Sequence, residues 1–233
     1  MKILSIDTTS EVCSVAILED KKVIKELSNE DGNTHSVKLM PQIEQILAQT
    51  NLTLNDIDLF VCDKGPGSFT GIRIGISTIK AFCDVTNIPA IGITSLMGLA
   101  YNVDFDGYIC SLIDAKNNNV YYGLFDNSNK NYVKTGDYLA ENINYITEIL
   151  NFCNKPIFFV GSGSIVYKDM LKSSLKEKAI FNDDPKFNKL TSISIGIAGF
   201  DVFSNNLNTE EYNLSPIYLK KTNAERELDE KKY

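Results

Sequence analysis

The chain has 233 residues, a formal net charge of −7 at pH 7 and a sequence pI of about 4.8. Such an acidic chain is poorly suited to binding nucleic acid by itself, because neutralising phosphates requires clustered Lys and Arg side chains. Its hydrophobic fraction of 43% and mean hydropathy of −0.11 are typical of a globular protein, and no apolar run reaches membrane-spanning length.

The five cysteines are scattered along the chain, and none belongs to a Cys-x-x-Cys pair. An odd number of cysteines in apolar surroundings favours reduced, buried thiols over a disulfide framework, and the spacing argues against structural zinc. The first residues read as a strand and lack the basic-then-apolar pattern of a signal peptide. We therefore predict a cytoplasmic protein with no membrane segment.

Apolar periodicity predicts three consecutive strands at the start of the chain, followed by a helix, a strand, a helix and a short strand. The strands are predicted at 2–7, 11–19, 22–28, 57–62 and 88–93, and the helices at 36–49 and 68–85.

The second half repeats this order. Strands are predicted at 108–114, 120–126, 132–138 and 156–160, with helices at 141–152, after Gly161 and at 191–204. Two copies of βββαβα that meet at a cleft are the plan of the actin-like superfamily. We therefore predict an α/β, two-lobed actin-like (ASKHA, ribonuclease H-like) fold. Its lobes are predicted at 1–100 and 101–220, and a charged tail at 221–233.

A glycine-rich turn, Lys64-Gly65-Pro66-Gly67-Ser68-Phe69-Thr70-Gly71-Ile72-Arg73-Ile74-Gly75, joins a buried strand to a helix. Turns of this kind bind phosphate through free backbone amides and the helix dipole. This one matches neither the Walker nor the dinucleotide-binding spacing. Gly71 and Gly75 lie one helical turn apart, which would let another backbone approach closely. Between phosphate binding and packing, we favour packing.

A candidate nucleotide cleft lies at the strand ends. In an actin-like fold the first hairpin of each lobe carries an acidic residue, and small hydroxyl residues there face the nucleotide phosphates. The matching residues here are Asp7, Thr8, Thr9 and Asp114, and Gly161 sits where such folds place an adenosine-contacting loop. The alternative is that both aspartates only terminate strands and cap turns. We favour an inherited, degenerate cleft over a working ATP site.

Catalytic equipment is sparse. His35 is the single histidine, so a His-x-x-x-His metal site is excluded, and no Ser-His-Asp arrangement has other support. No cysteine has basic neighbours in the sequence that would lower the pKa of its thiol. We predict no catalytic residue and no metal.

The helices at 36–49 and 68–85 carry apolar residues on more sides than a single core-facing stripe needs. One interpretation is burial by both the helix's own sheet and the neighbouring lobe. The other, which we favour, is a partner surface. Its predicted members are Val37, Met40, Glu44, Leu47, Phe69, Arg73, Ile76 and Phe82.

These motifs resemble the bacterial TsaB family, formerly called YeaZ. The resemblance rests on the glycine-rich turn and on further short matches at Ile6-Asp7-Thr8-Thr9-Ser10, His35-Ser36, Ile88-Pro89, Thr94-Ser95-Leu96, Asp114-Ala115 and Pro216-Ile217-Tyr218-Leu219. It covers nearly the whole chain.

The resemblance implies a non-catalytic subunit required for threonylcarbamoyl transfer to adenosine 37 of tRNAs that read codons beginning with adenosine. It implies pairing through the first two helices, either with a TsaD-like transferase or as a homodimer in isolation. A TsaE-like ATPase is the further partner, and tRNA is contacted only through the complex. No cofactor is bound firmly, and ATP or ADP at the junction of the complex is left open.

Two other functions remain as alternatives. The first is an ATP-dependent kinase or ATPase that uses Asp7 and Asp114. The second is a glycoprotease, which a single histidine and the lack of a nucleophile arrangement make the weakest of the three.

Overall fold

The computed structural model describes residues 1–29, 35–205 and 213–220. Its strands are β1 (Lys2–Asp7), β2 (Cys13–Glu19), β3 (Lys22–Asn29), β4 (Leu59–Asp63), β5 (Ala90–Ile93), β6 (Tyr108–Asp114), β7 (Asn119–Asp126), β8 (Val133–Lys134), β9 (Leu139–Asn142), β10 (Ile157–Val160) and β11 (Ala179–Ile180). Its helices are α1 (His35–Thr50), α2 (Phe69–Thr86), α3 (Ser95–Ala100), α4 (Ile143–Asn151), α5 (Ser162–Val166), α6 (Lys168–Leu175) and α7 (Ser192–Asn205).

The two halves of the chain build two sheets of the same design. The first sheet has the order β3-β2-β1-β4-β5, and the second has β8-β7-β6-β10-β11 with β9 also paired to β7. In each sheet the first strand pairs antiparallel with the second and, on its other side, parallel with a later strand, which is β4 in the first sheet and β10 in the second. The predicted duplication of βββαβα is therefore confirmed.

The second half departs from the prediction after β7. The strand predicted at 132–138 is reduced to β8, because Gly136 adopts a φ of +75° and interrupts the extended run. Residues at the start of the predicted helix instead form β9, which pairs with β7. The helix begins at Ile143, where the Asn142 side chain accepts a hydrogen bond from the Asn144 amide at 2.9 Å.

Apolar side chains fill three layers around the two sheets. One face of the first sheet packs against α1 and α2, and one face of the second packs against α4 and α6. The two remaining faces share a central layer with α3 and α7, in which Val61, Ile109 and Ile195 belong to one cluster. The two halves are therefore joined by a common core.

Helix α7 follows the second half in sequence and packs on the first sheet. The Ser192 amide donates to Ser14 Oγ at 3.0 Å, and Ser5 Oγ donates to the Ser192 carbonyl at 2.7 Å. A Cβ on Gly196 would lie 2.6 Å from Leu18 Cδ1, so a side chain there would force the helix away. The lobe boundaries at 100 and 220 stay a prediction, and the tail at 221–233 lies outside the described residues.

Among the described helices, none is both long and apolar enough to cross a bilayer. All five cysteines are free: Cys13, Cys62 and Cys110 are buried, and Cys83 and Cys153 are half-buried.

Candidate functional site

Two aspartates lie side by side where the first sheet ends. Strands β1 and β4 run parallel, and the pairing of Ile6 with Cys62 sets Asp7 beside Asp63. Both side chains are buried, with 0% and 1% of the residue exposed. Asp63 was not among the predicted site residues, although it directly follows the strand predicted at 57–62.

The hydroxyl of Thr9 lies between the two carboxyl groups. Its Oγ1 is 2.9 Å from Asp7 Oδ1 and 2.5 Å from Asp63 Oδ2. A hydroxyl has one proton to donate, so only one of these contacts is a hydrogen bond from Thr9. The other requires a proton on a carboxyl oxygen, and two buried carboxylates so close do not both ionise. One carboxyl therefore holds a proton.

Burial raises the pKa of Asp63 well above its usual range, and the charge of Asp7 raises it further. Burial also raises the pKa of Asp7, against the opposing effect of hydrogen bonds from Thr9 and Ser10. The proton of the pair therefore resides on Asp63. In that state it donates to Thr9, Thr9 donates to Asp7, and Ser95 Oγ, 2.7 Å and 2.9 Å from the two Asp63 carboxyl oxygens, donates to Asp63.

This pair predicts a pH-dependent stability. Because the folded pKa of Asp63 exceeds the unfolded one, the folded state binds more protons, and stability falls as pH rises through the folded pKa. In Asp63→Asn the side-chain amide can make the same hydrogen bonds, but it does not gain or lose a proton with pH. We expect it to raise the Tm at pH 8.5 relative to the wild type by about 2 °C or more, which corresponds to about 1 kcal/mol.

The measurement is thermal unfolding followed by circular dichroism at pH 5.5 and 8.5. Asp84→Asn, on the exposed side of α2, is the control and should leave the Tm unchanged at both pH values. An Asp63→Asn variant with the same pH dependence as the wild type would contradict a protonated Asp63.

The glycine-rich turn packs against the first hairpin. A Cβ on Gly71 would lie 1.7 Å from the Thr8 carbonyl oxygen, and one on Gly67 would lie 2.6 Å from that of Thr9. The Ser68 amide donates to the Thr9 carbonyl at 2.8 Å, and Ser68 Oγ accepts from the Gly71 amide at 3.2 Å. Protein groups therefore occupy the first turn of α2, where a phosphate-binding turn would present free amides.

The second lobe does not bring its aspartate to the same place. Asp114 pairs with Val120, and Val120 packs in the layer with α4 and α6. Asp7 instead pairs with Ser14, whose neighbour Val15 packs on α1 and α2, so Asp7 faces the shared central layer. The predicted matching of Asp7 with Asp114 is wrong in this respect, because the pleat puts them on non-equivalent faces.

Asp114 is engaged within its own hairpin. Lys116 Nζ lies 2.9 Å from Asp114 Oδ2, and the Lys116 amide donates to Oδ1 at 3.1 Å. Partial burial alone would raise the pKa of Asp114, but Lys116 holds it below the usual value. Gly161 donates its amide to Asn188 Oδ1 at 3.0 Å, and a Cβ on it would lie 2.4 Å from the Leu112 carbonyl. Both residues have local structural partners.

His35 lies at the start of α1, with Nε2 2.8 Å from the Ser10 carbonyl oxygen. Its Nδ1 is buried and has no hydrogen-bond partner among the residues that the structure describes. Its charge would lower the pKa of nearby Asp7. Within the described ranges, no group of three or more His, Cys, Asp or Glu side chains could hold a metal ion.

The predicted partner residues of α1 lie largely on its outer side. Val37 is 67% exposed and Met40 42% exposed. Glu44 is exposed and Leu47 is half-buried. This side of α1 therefore presents apolar surface to solvent.

Two predicted partner residues of α2 are core residues instead. Ile76 and Phe82 are 4% and 9% exposed, and the Phe82 ring lies 5.6 Å from that of Phe60. They cannot form a surface contact, because the helix turns them towards the first sheet. Single-sequence periodicity left the rotation of α2 uncertain by about one residue.

The other two, Phe69 and Arg73, contact the segment 213–220. The Tyr218 ring stacks on Phe69 with centroids 4.7 Å apart, and Arg73 Nε donates to the Tyr218 hydroxyl at 2.9 Å. The Ile217 amide donates to the Lys64 carbonyl at 2.8 Å. This segment thus crosses the end of the first sheet, a covering that the sequence analysis missed.

The same segment then reaches the second lobe. Lys220 Nζ donates to the Ala115 carbonyl at 2.8 Å and lies 5.7 Å from the centre of the Tyr121 ring. We call residues 213–220 the C-terminal strap, because they connect the two lobes across the ends of their strands.

Comparison with known proteins agrees with this architecture. The family described as "TsaD: tRNA N6-adenosine threonylcarbamoyltransferase" matches residues 26–228. The tRNA threonylcarbamoyladenosine biosynthesis protein TsaB of Bacillus subtilis (strain 168) is 31% identical over 197 residues, which are 81% of this chain and 82% of that protein.

Solved structures share the fold. YeaZ from Pseudomonas aeruginosa superposes with a TM-score of 0.73 at 21% identity, covering 94% of this chain and 99% of that one. The ROK hexokinase from Thermus thermophilus superposes with a TM-score of 0.54 at 8% identity, covering 89% and 100%. The two-lobed actin-like fold expected from the sequence is confirmed.

Proposed function

The chain belongs to the TsaB (YeaZ) family, and on that premise we propose that it is a non-catalytic partner subunit in the synthesis of threonylcarbamoyladenosine in tRNA. Its family supports the role in tRNA modification. We propose in addition that it catalyses no step itself, and we propose which proteins it binds.

The observation that carries the proposal is the filled end of the first sheet. An actin-like enzyme needs open space and accessible acidic groups there to hold a nucleotide. In this chain, Asp7 is fully buried and accepts hydrogen bonds from Thr9 and Ser10. The Thr8 and Thr9 carbonyls lie close against Gly71 and Gly67, and the Thr9 carbonyl accepts a hydrogen bond from the amide of the N-cap Ser68. This arrangement favours a scaffold over a kinase or ATPase.

The exposed side of α1 supplies a surface for a partner. Val37 and Met40 are apolar and exposed, and α1 lies within the region of the chain that matches the family. We propose that a TsaD-like transferase binds this surface, and that a homodimer uses it when the transferase is absent. Apolar side chains at the centre of an interface provide most of its binding energy.

The remaining partners follow from the same premise. A TsaE-like ATPase acts on the complex, and the net charge of −7 favours contact with tRNA through the transferase. We place no firmly bound cofactor in this subunit. ATP or ADP, where it is used, binds at the junction of the complex.

Size-exclusion chromatography with the TsaD-like transferase from the same source tests the proposal. We expect one peak that contains both proteins, at least in the presence of Mg²⁺ and ATP or ADP. Separate elution under every nucleotide condition would contradict it.

A further inference from the structure

A cavity of about 600 Å³ opens on the second lobe, on the face of its sheet opposite the shared central layer. It lies between β6, β7 and the end of α4, far along the sheet from the hairpin of Asp114. Its volume is in the range of small-molecule sites. The lining residues are Tyr108, Tyr122, Leu124, Thr135, Gly136, Asp137, Leu139, Ile149, Phe152, Cys153 and Asn154.

The wall of the cavity holds an unused hydrogen-bond donor. Tyr122 is only 4% exposed, and within the described part of the chain its hydroxyl has no hydrogen-bond partner. Burial, followed by the nearby thiols of Cys110 and Cys153, raises the pKa of Tyr122, so the hydroxyl keeps its proton. The hydroxyl reaches solvent in the cavity, so a ligand acceptor would take the place of water as its hydrogen-bond partner.

The mouth of the cavity holds a free negative charge. Asp137 is exposed and pairs with no cation in the described ranges. Two lysines nearby are already engaged: Lys155 contacts Asp126 at 2.9 Å, and Lys178 donates to the carbonyls of Asn151 and Cys153 at 3.1 and 2.9 Å.

Most of the remaining lining is apolar, including Leu124, Ile149 and the ring of Phe152, which is 90% exposed. Burial raises the pKa of the Cys153 thiol, which therefore stays protonated and is a weak nucleophile. The lining suits reversible binding of a flat apolar group.

From these features we propose that the cavity binds a small aromatic amine. Its ring contacts the apolar lining, an acceptor atom on the ring accepts a hydrogen bond from the Tyr122 hydroxyl, and its ammonium group pairs with Asp137. This site is separate from the first two helices, so its test is independent of the proposed role in tRNA modification.

The test is a titration of the full chain with tyramine, followed by ¹H–¹⁵N NMR. We expect the amide signals of Gly136 and Cys153 to shift as the site saturates. Tyr122→Phe should weaken binding at least about fivefold, as expected for a lost hydrogen bond. Tyr121→Phe is the matched control, because this neighbour points to the opposite face of β7, and it should leave the affinity unchanged.

A second pair of titrations tests the charge. Asp137→Asn should weaken tyramine binding, whereas Glu148→Gln, an exposed acid on α4, should not. The neutral probe 4-ethylphenol should bind more weakly than tyramine to the wild type. The proposal is overturned if tyramine shifts no cavity amide, if Tyr121→Phe weakens binding as much as Tyr122→Phe, or if 4-ethylphenol binds as well as tyramine.

Discussion

Gly71→Ala is expected to destabilise the protein by about 4 kcal/mol or more, which is the range of severe overpacking and backbone displacement. The added Cβ would lie 1.7 Å from the Thr8 carbonyl oxygen, and backbone on both sides prevents an easy adjustment. The first hairpin and α2 would have to separate. The same displacement would break the hydrogen bond of 2.7 Å from Thr8 Oγ1 to the Gly71 carbonyl.

Thermal unfolding of Gly71→Ala beside Thr70→Ala measures this effect. Thr70 is the exposed neighbour in the same turn, so its variant should unfold close to the wild type. For a chain of this length, the expected loss lowers the Tm by about 8 °C or more. A Gly71→Ala variant with a wild-type Tm would show that close packing is not the reason for this glycine.

Val37→Glu is expected to weaken pairing with the TsaD-like transferase at least about 30-fold, which corresponds to about 2 kcal/mol. The substitution places a charge at the most exposed apolar position of α1, where desolvation in an interface would be costly. Because Val37 is 67% exposed, the fold should be retained.

Val133→Glu is the matched control for pairing, since Val133 is 58% exposed on β8 of the second lobe. Affinity is measured by calorimetric titration, and folding by circular dichroism. Equal affinities for wild type and Val37→Glu would place the partner surface elsewhere on the chain.

Most of the fold could be predicted from the sequence. The buried runs that end at Asp7 and Asp114 are strands with the predicted bounds, and α2 ends within one residue of the prediction. The spacing of apolar residues and the positions of turn residues determine such elements locally. The β8–β9 region was mispredicted because positive φ values at Tyr132 and Gly136 interrupt the extended run.

The site was harder to predict because it depends on contacts between distant segments. Asp63 becomes meaningful only once β4 is placed beside β1, and the C-terminal strap is separated from Phe69 and Arg73 by more than half of the chain. The face of the sheet on which Asp114 lies depends on the alternation of side chains along β6, and a shift of one residue reverses it. Periodicity alone also left the rotation of α2 undetermined, so Ile76 and Phe82 were assigned to the surface.

We propose that this chain supports tRNA modification as a partner and uses no nucleotide at its own Asp7. The most direct test is a reconstituted reaction that contains the TsaD-like transferase, the TsaE-like ATPase and tRNA, with threonylcarbamoyladenosine measured in the tRNA. We predict that product requires this chain and is retained with Asp7→Asn, provided that this variant is folded. Product formation that continues without the chain, or that is lost with folded Asp7→Asn, would contradict the claim.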